Sequence, residues 1–527
     1  MKSNLYKRES TRLHVWLWVL SLLVAVALSF RVFENTTLAA AILTLFLPLL
    51  LVSVYRNPTT SMYLLVFYAF AVFAFSRYIL INDYIKPGTV YDVMLLLAFI
   101  IAWLVMGNEN KVQWARILDT PFWVLIIWLF YCCFSLVVPG NAGFNVWLLG
   151  VRVHLYMVFS IPLFIMLLNV KSLKTLIILW GIFSIIMSLK GFAQQNIWLD
   201  AADLAFLDGN EFHMVGGKLR VYGFCSDAGQ FGVQQGHAAV IGGLMFLNSR
   251  NGKQRLFFLL MALAGLYGMF VSGTRGAIFV IFGSAMAYCF LIRRTKLLIL
   301  GLVLSGGFYS FMVFTNVGNS VYDIQRMRTA FKPEEDPSYL ARKMNQEILK
   351  AYLRSRPFGG GIGAMQFGHQ GTLLKETPYD SGYVLTWGDQ GIVGLSMYIG
   401  MILLFLLKGT LVVWNKIKNE WLRNIVIAMM SGIVGIAVSN YGNPVMLQHP
   451  TCVLYFLSVA VIYSAPRIDK SLQIEEQVVK QKTTSTQMLS ASRTAWARTS
   501  SEENRAFLTI RCGQIANKNT KQSILDN

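Results

Sequence analysis

Apolar blocks long enough to cross a bilayer recur along almost the whole chain, and this feature removes most of the folds open to it. A membrane-spanning helix needs about 20 mainly apolar residues. Such runs centre near 13–30, 38–55, 61–81, 90–106, 121–138, 153–169, 173–190, 231–248, 255–271, 276–292, 296–314, 390–413, 422–440 and 450–464. They make roughly 14 candidates. With 55% hydrophobic and 14% charged residues in 527, the chain carries more apolar surface than one soluble core can hide. The expected class is all-α, a polytopic membrane protein of about 12–14 transmembrane helices.

The same length rule resolves "GMFVSGTRGAIFVIFG" at 268–283. A single helix from Arg255 to Ile292 would far exceed what a bilayer requires, so two helices should meet at a short SGTRG turn. Basic residues then orient the chain. Lys2, Lys7, Arg8 and Arg12 precede the first run, and GNENKVQWAR, VKSLK, SRNGKQR, RRTK and KGTLVVWNKIKNEWLR follow at alternate connections. Lys and Arg collect on cytoplasmic loops, so these loops and both termini should be cytoplasmic. The opposite side then holds SGTRG, the connections near 190–230 and 315–389, and NYGNPVMLQHP at 440–450.

The net charge of +20 has the same ordinary cause and gives no reason to expect nucleic acid. Of the six cysteines, Cys132, Cys133, Cys289 and Cys452 lie in apolar runs, Cys512 in the tail and Cys225 in a loop. That pattern makes neither a disulfide framework nor a metal site, and no cofactor is expected. No small-residue cleavage site follows the first run, which reads as an uncleaved span. The expected partition is a cytoplasmic 1–12, spans over 13–314 with an outer loop near 190–230, a large outer loop at 315–389, closing spans over 390–464 and a tail at 465–527. The tail is rich in Ser, Thr, Gln and Lys with few aromatics, and disorder in the cytoplasm is expected of it.

Chemistry-bearing residues concentrate on the outer side. Arg152 in LLGVRVHLY, Arg220 in GGKLRVYGFCSDAGQFG and Arg275 in SGTRG stand at starts or ends of spans. Together they can form a cationic pocket, since a guanidinium offers a phosphate two parallel hydrogen bonds and stays charged. Taken singly, each also fits a snorkelling interfacial arginine. Arg275 is favoured for a ligand because Ser272, Gly273, Thr274 and Gly276 let backbone N–H groups approach an anion. In the large loop, Asp336 or Ser338 can cap a helix that has Pro337 in its first turn. Leu340, Met344, Ile348 and Tyr352 share one face of it, with Arg342, Lys343, Glu347, Lys350 and Arg354 around the rest. RPFGGGIGAM, which begins with Arg356, ends that helix; GGGIG lacks the Lys-Ser/Thr that would make it a phosphate loop. TPYDSG follows, where Asp380 fits either a helix N-cap or a general base. His369 is the other outer group suited to move a proton.

RVYGFCSDAGQFG, VSGTRGAIF, RPFGGGIGAM and TPYDSGYVLTWGDQGIVGL, in that order and spacing, resemble the successive motifs of the O-antigen ligase and polymerase superfamily. The likeness covers roughly residues 215–400. It implies a metal-independent, GT-C-like membrane glycosyltransferase that takes a glycan from undecaprenyl pyrophosphate at the outer face of the inner membrane. Lipid A–core, another lipid-linked glycan or a protein would be the acceptor. By position, Arg220 and Arg275 match the two arginines that contact pyrophosphate in that family, with Arg152 a third candidate. The large loop matches the one covering the donor, placing Arg342, Arg356 and Tyr379 on the acceptor side. Where ligases usually carry a histidine, often followed by asparagine, this chain has Tyr379-Asp380. Asp380 and His369 therefore both stand as the base. The expected reaction is inverting transfer, with arginines stabilising charge as it develops on the leaving pyrophosphate.

A lipid-linked oligosaccharide flippase or another polysaccharide transporter is the alternative. Internal repeats and charges near the bilayer midplane would favour it, whereas here no repeat is evident and polar residues gather on one side. A metal-dependent GT-C enzyme would show paired acids in its first outer loop, and RVFENTT offers only Glu34.

Overall fold

The computed structural model describes residues 53–78, 87–108, 120–208, 210, 213–215, 217–293, 295–317, 325, 328, 331, 337–478, 481 and 509–510. The expected run at 13–30, most of that at 38–55, the cytoplasmic segment 1–12 and nearly all of the tail beyond 478 lie outside the described residues. Helix α1 covers Thr59–Tyr78, α2 Pro87–Asn108, α3 Thr120–Phe134, α4 Phe144–Leu167 and α5 Val170–Asn196. A short α6, Ala201–Leu207, precedes a two-stranded antiparallel hairpin of β1 (Met214–Val215) and β2 (Lys218–Leu219), with Met214 opposite Leu219. Then follow α7 (Ala228–Asn248), α8 (Gly252–Val271), α9 (Arg275–Leu291) and α10 (Thr295–Phe314). The large loop contains α11 (Pro337–Leu353), α12 (Ala364–Phe367) and α13 (Leu373–Glu376). Helices α14 (Gly382–Asn415), α15 (Glu420–Ser439) and α16 (Thr451–Val478) close the bundle.

Every expected run from 61–81 onward contains a helix among its described residues, and the protein is an all-α polytopic membrane protein. Among the described residues eight helices are long and apolar enough to cross a membrane, and Pro121–Phe134 and Arg275–Leu291 are shorter apolar helices. The chain divides into two units, Met1–Pro466 and Arg467–Asn527.

Local chemistry sets the helix starts. The Asn169 side chain accepts the Ser172 N–H (2.9 Å) while the Ser172 hydroxyl accepts the Asn169 N–H (2.8 Å), a reciprocal capping box that opens α5. Asp227 caps α7 by accepting the Gln230 N–H at 2.9 Å, and Asn419 caps α15 by accepting the Leu422 N–H at 3.1 Å. Helix α7 packs against α5, α8, α9 and α15 and buries Gln230, Gln234, Gln235 and His237. Apolar surroundings make an unmet polar group costly, and the three glutamines bond neighbouring elements. Gln234 donates to the Ser184 hydroxyl (3.1 Å) and Gln235 to the Ser184 carbonyl (3.0 Å).

Three boundaries or faces differ from expectation. Helix α14 begins at Gly382, well before 390, because Ser381 caps it by accepting the N–H groups of Tyr383 and Val384. Its break comes later, at Gly391, where φ is +68°, a conformation open to glycine. Helix α16 continues to Val478, so residues 465–478, assigned to a disordered tail, are helical. Helix α11 spans the expected residues but turns another face inward. Leu349 and Leu353 are buried with Ala364, Met365, Leu374, Val384 and Leu385, with Tyr352 packed alongside, while Leu340, Met344 and Ile348 are exposed. The helix has two apolar faces, and the one complementary to α12–α14 is the one it buries.

Candidate active site

The SGTRG turn joins α8 and α9 as helix length requires. Gly273 takes a φ of +55°, which a side chain would resist. The Ser272 hydroxyl donates to the Met269 carbonyl (2.7 Å) and accepts the Thr274 N–H (3.1 Å). The Thr274 hydroxyl donates to the Ala228 carbonyl at the start of α7 (2.9 Å) and accepts Arg220 Nη2 at 3.4 Å. Arg275, half-buried, is the first residue of α9. Arg220, distant in sequence, therefore reaches the buried turn that leads into Arg275.

Another arginine fastens the segment that carries Arg220. Arg77, in the last turn of α1, donates to the carbonyls of Gly223 (2.8 Å) and Cys225. Its guanidinium lies over the rings of Phe206 (4.2 Å) and Tyr222 (4.5 Å). Lys190 on α5 reaches Asp200 (2.7 Å) and the fully buried Asp203 (2.6 Å). Gln194 ties Asp203 to the same segment, donating to its carboxylate (2.9 Å) and accepting the Gly223 N–H (2.9 Å). Burial raises the Asp200 carboxyl, but hydrogen bonds from Lys190, Tyr78 and the Asp203 N–H outweigh it, and the group titrates below its ordinary value. The His213 carbonyl accepts the Arg220 N–H at 2.8 Å. Burial lowers that imidazole to about 4; Asp227 opposes the shift, while Arg220 and Arg77 add to it.

The connection at 440–450 ties these motifs together. The Ser439 hydroxyl at its edge donates to the carbonyl of Gly276, next to Arg275 (2.9 Å). The Asn440 carbonyl accepts the Gly382 N–H (2.9 Å) and the Ser381 hydroxyl (3.3 Å), both next to Asp380. Gln230 on α7 donates to the carbonyls of Gln448 (3.2 Å) and His449 (3.0 Å) and to the Thr451 hydroxyl (2.8 Å). The His449 ring rests against Tyr91 (4.4 Å) and Tyr156 (5.3 Å). Burial lowers its imidazole to about 4, reinforced by the charge of Arg152. Two adjacent residues, Ser439 and Asn440, thus link the Arg275 turn to the Asp380 turn.

The glycine-rich loop is locked rather than left open to an anion. Asp389, buried on α14, accepts the N–H groups of Gly363 (2.9 Å) and Met365 (2.8 Å). The loop also fills the kink at Gly391. Gly360 N–H bonds the Gly388 carbonyl (3.0 Å), and Val393 N–H bonds the Pro357 carbonyl (3.2 Å). A Cβ on Gly359 would stand 2.4 Å from the Gly391 nitrogen, so the glycines serve backbone approach.

The remaining expected residues fall into separate partnerships. Arg342 Nε lies 3.3 Å from the Asp380 carboxylate, with side chains 34% and 51% exposed, so the pair is open to an incoming group. His369 stands on an exposed turn where its carbonyl accepts the Thr372 hydroxyl at 2.7 Å. Tyr379 is half-buried against the α11–α14 apolar cluster; burial raises its hydroxyl and a hydrogen bond to Gln366 tempers the shift. Arg356 donates to the Tyr352 hydroxyl and lies 4.3 Å from its ring centroid. Arg152 is matched by Asp92 at 2.7 Å and approaches the Tyr156 hydroxyl at 3.5 Å.

Residues 256–399 match the family model described as O-Antigen ligase. This stretch is O-antigen-ligase-like. It contains the Arg275 turn, the glycine-rich loop and the Asp380 turn, three of the four motifs that carried the resemblance. With the membrane-spanning helices, it supports a membrane glycan ligase or polymerase kind of function, acting on lipid-linked glycan and acceptor substrates. Arg220 and the 440–450 connection lie outside the ligase-like stretch and join it in space. No curated protein matches the chain.

Sequence reading missed Arg77, Lys190, Asp203, Asp389 and the Ser439–Asn440 link. Two cations toward the ends of α1 and α5 that the basic-loop pattern expects on the outer side, against the positive-inside bias, were the signal for the first two.

Proposed function

We propose that the protein is a GT-C-like, inverting glycosyltransferase of the O-antigen ligase or polymerase type. It moves a glycan from undecaprenyl pyrophosphate to a glycan, lipid A–core or protein acceptor. The reaction takes place on the periplasmic side of the inner membrane, with both termini cytoplasmic. The acceptor hydroxyl oxygen attacks the anomeric carbon. The bond from that carbon to the pyrophosphate oxygen breaks with its electron pair going to the pyrophosphate, and the hydroxyl proton passes to a base. Arg220 and Arg275 meet the charge that grows on the leaving group, in a site fixed before reaction begins. Asp380, with His369 as the alternative, takes the proton. The reading assigns no metal to the reaction. Arg152, already balanced by Asp92, shapes the wall of the site, and Arg342, Arg356 and Tyr379 face the acceptor.

The observation that carries this reading is the meeting of Arg220 with the Arg275 turn, 3.4 Å from the Thr274 hydroxyl, in a scaffold linked to Asp380. The test is transfer by purified full-length protein from lipid-linked glycan to acceptor. Arg220→Ala and Arg275→Ala should each slow transfer about 10²–10³-fold while thermal unfolding and gel-filtration behaviour stay unchanged. Full activity in both variants would remove the arginines from the mechanism.

A further inference from the structure

A cavity connected to the arginine turn through Ser226 and Ala228 has the wrong chemistry for a phosphate. It is lined by α4, α12, the start of α14 and the 440–450 connection, and His154, Gln366, Thr386, Asp389, Gln390 and Gln448 bring its polar character. Among the described residues no lysine or arginine lines it. Its one carboxylate, on Asp389, has both oxygens engaged by the N–H groups of Gly363 and Met365. What remains is neutral. Gln390 Nε2 lies 3.1 Å from His154 Nε2, which leaves His154 Nδ1 and Gln390 Oε1 buried without a partner among the described residues. Buried polar atoms are ordinarily satisfied, and a pair left unmet in one wall calls for a ligand or water. Gln448 accepts the Ser226 hydroxyl through Oε1 at 3.3 Å, and its amide NH2 remains a donor. Pro444 and Leu447 add apolar surface.

Amide and imidazole groups that both donate and accept, next to apolar carbon and without net charge, complement a hydroxyl-bearing carbon chain. Size narrows the class further. The free interior is about 30 Å³, room for a water or two or one hydroxymethyl arm but not a pyranose ring. Location gives the neighbour. Ser226, bonded to Gln448, directly precedes the Asp227 cap of α7, and the Ala228 carbonyl that follows accepts the Thr274 hydroxyl, which in turn accepts Arg220. A chain of hydrogen-bonded residues thus runs from the cavity wall to the site given above to the pyrophosphate.

We propose that this cavity is a neutral sugar subsite, in which His154, Gln390 and Gln448 hold one hydroxyl or hydroxymethyl arm of the donor glycan next to its pyrophosphate. The inference rests on the proposed function for the identity of the donor, while the subsite's own chemistry rests on the cavity. Two probes separate them, namely undecaprenyl-pyrophosphate-linked glycan extracted from the source cells and sugar-free undecaprenyl pyrophosphate. Binding of each to the detergent-solubilised full chain is read as the concentration giving half-maximal thermal stabilisation. Leu447→Phe, which fills the space, and Gln390→Leu, which removes the polar wall, should each raise that concentration at least tenfold for the glycan-linked lipid and leave the sugar-free lipid unchanged. Arg275→Ala should weaken both lipids alike. If it weakens neither while the cavity variants still discriminate, the pyrophosphate reading falls and the subsite stands. Unchanged glycan binding in a Leu447→Phe protein that unfolds at the parent temperature would mean the cavity holds water only. Equal weakening of both lipids by the cavity variants would place the effect at the pyrophosphate and overturn the subsite.

Discussion

The Arg275 turn and the Asp380 turn hang from the same two residues, yet they are built on opposite principles. Around Arg275, Ser272 and Thr274 are buried and every hydroxyl is spent on a carbonyl, an N–H or Arg220. At Asp380 the carboxylate is 51% exposed and its partner Arg342 lies 3.3 Å away. A site that stabilises developing charge works best when its donors need no rearrangement. A proton acceptor must instead leave room for its substrate to approach. Under the proposed mechanism this contrast assigns the leaving group to the Arg275 turn and the incoming group to the Asp380 turn, and it can be broken from either side.

The largest effect is expected at the rigid turn. Arg275→Ala should cost about 10²–10³ in turnover, the range for removing one preorganised donor to a developing anion. Arg275→Lys should recover only part of it, since an ammonium keeps the charge and loses the planar fork. Turnover of single-substituted protein at saturating lipid-linked glycan checks both, and full recovery by lysine would mean the turn supplies charge without geometry.

Asp380→Asn comes next. Loss of a general base costs about 10²-fold or more, and because the group is exposed, the unfolding temperature should stay where it is. If Asp380→Asn turns over normally and His369→Gln does not, the base is His369 and the contrast between the turns loses its catalytic meaning.

Much of this frame was legible because membrane physics writes in long periods. Apolar runs gave the helices, and the excess length of 255–292 located the Arg275 turn before any geometry was known. Boundaries failed where apolar composition and helix geometry part company. GYVLTWGDQ ahead of the kink is helical because Ser381 caps it, and the break waits for Gly391. The inward face of α11 could not be read, since two apolar faces compete and only the cluster around Met365 and Leu374 chooses between them. The Asp380–Arg342 pairing and the Ser439–Asn440 link escaped for the same reason. Each joins segments whose separation along the chain no local pattern encodes.

The two sides should also answer differently to acid. His213, whose carbonyl holds the Arg220 N–H, is lowered to about 4 by burial, against about 6.5 for a free imidazole. The fold prefers its neutral form, so its contribution is fully present above about 6.5 and is lost as pH falls toward 4. Deuterium uptake over 213–222, scaled to the intrinsic exchange rate at each pH, should therefore rise between pH 7 and pH 5, while scaled uptake over 376–384 stays level. His213→Phe should remove the acid response. A pH response that survives in His213→Phe would assign the opening to another group.

The smallest effect is expected at the partner of Asp380. An exposed ion pair contributes about 0–1 kcal/mol, because water and salt screen it and ordering two long side chains opposes it. With 34% of Arg342 and 51% of Asp380 exposed, Arg342→Ala should shift stability by less than about 1 kcal/mol in a denaturant or thermal series. Its effect on turnover is the more telling quantity. A guanidinium that only decorates the surface can be removed without consequence. One that aims the carboxylate at the acceptor slows transfer when lost, and the Arg342→Ala, Asp380→Asn double variant is then no slower than Asp380→Asn alone. Strict additivity in that cycle would mean that Arg342 acts on the acceptor directly and that the exposed turn has two independent working groups.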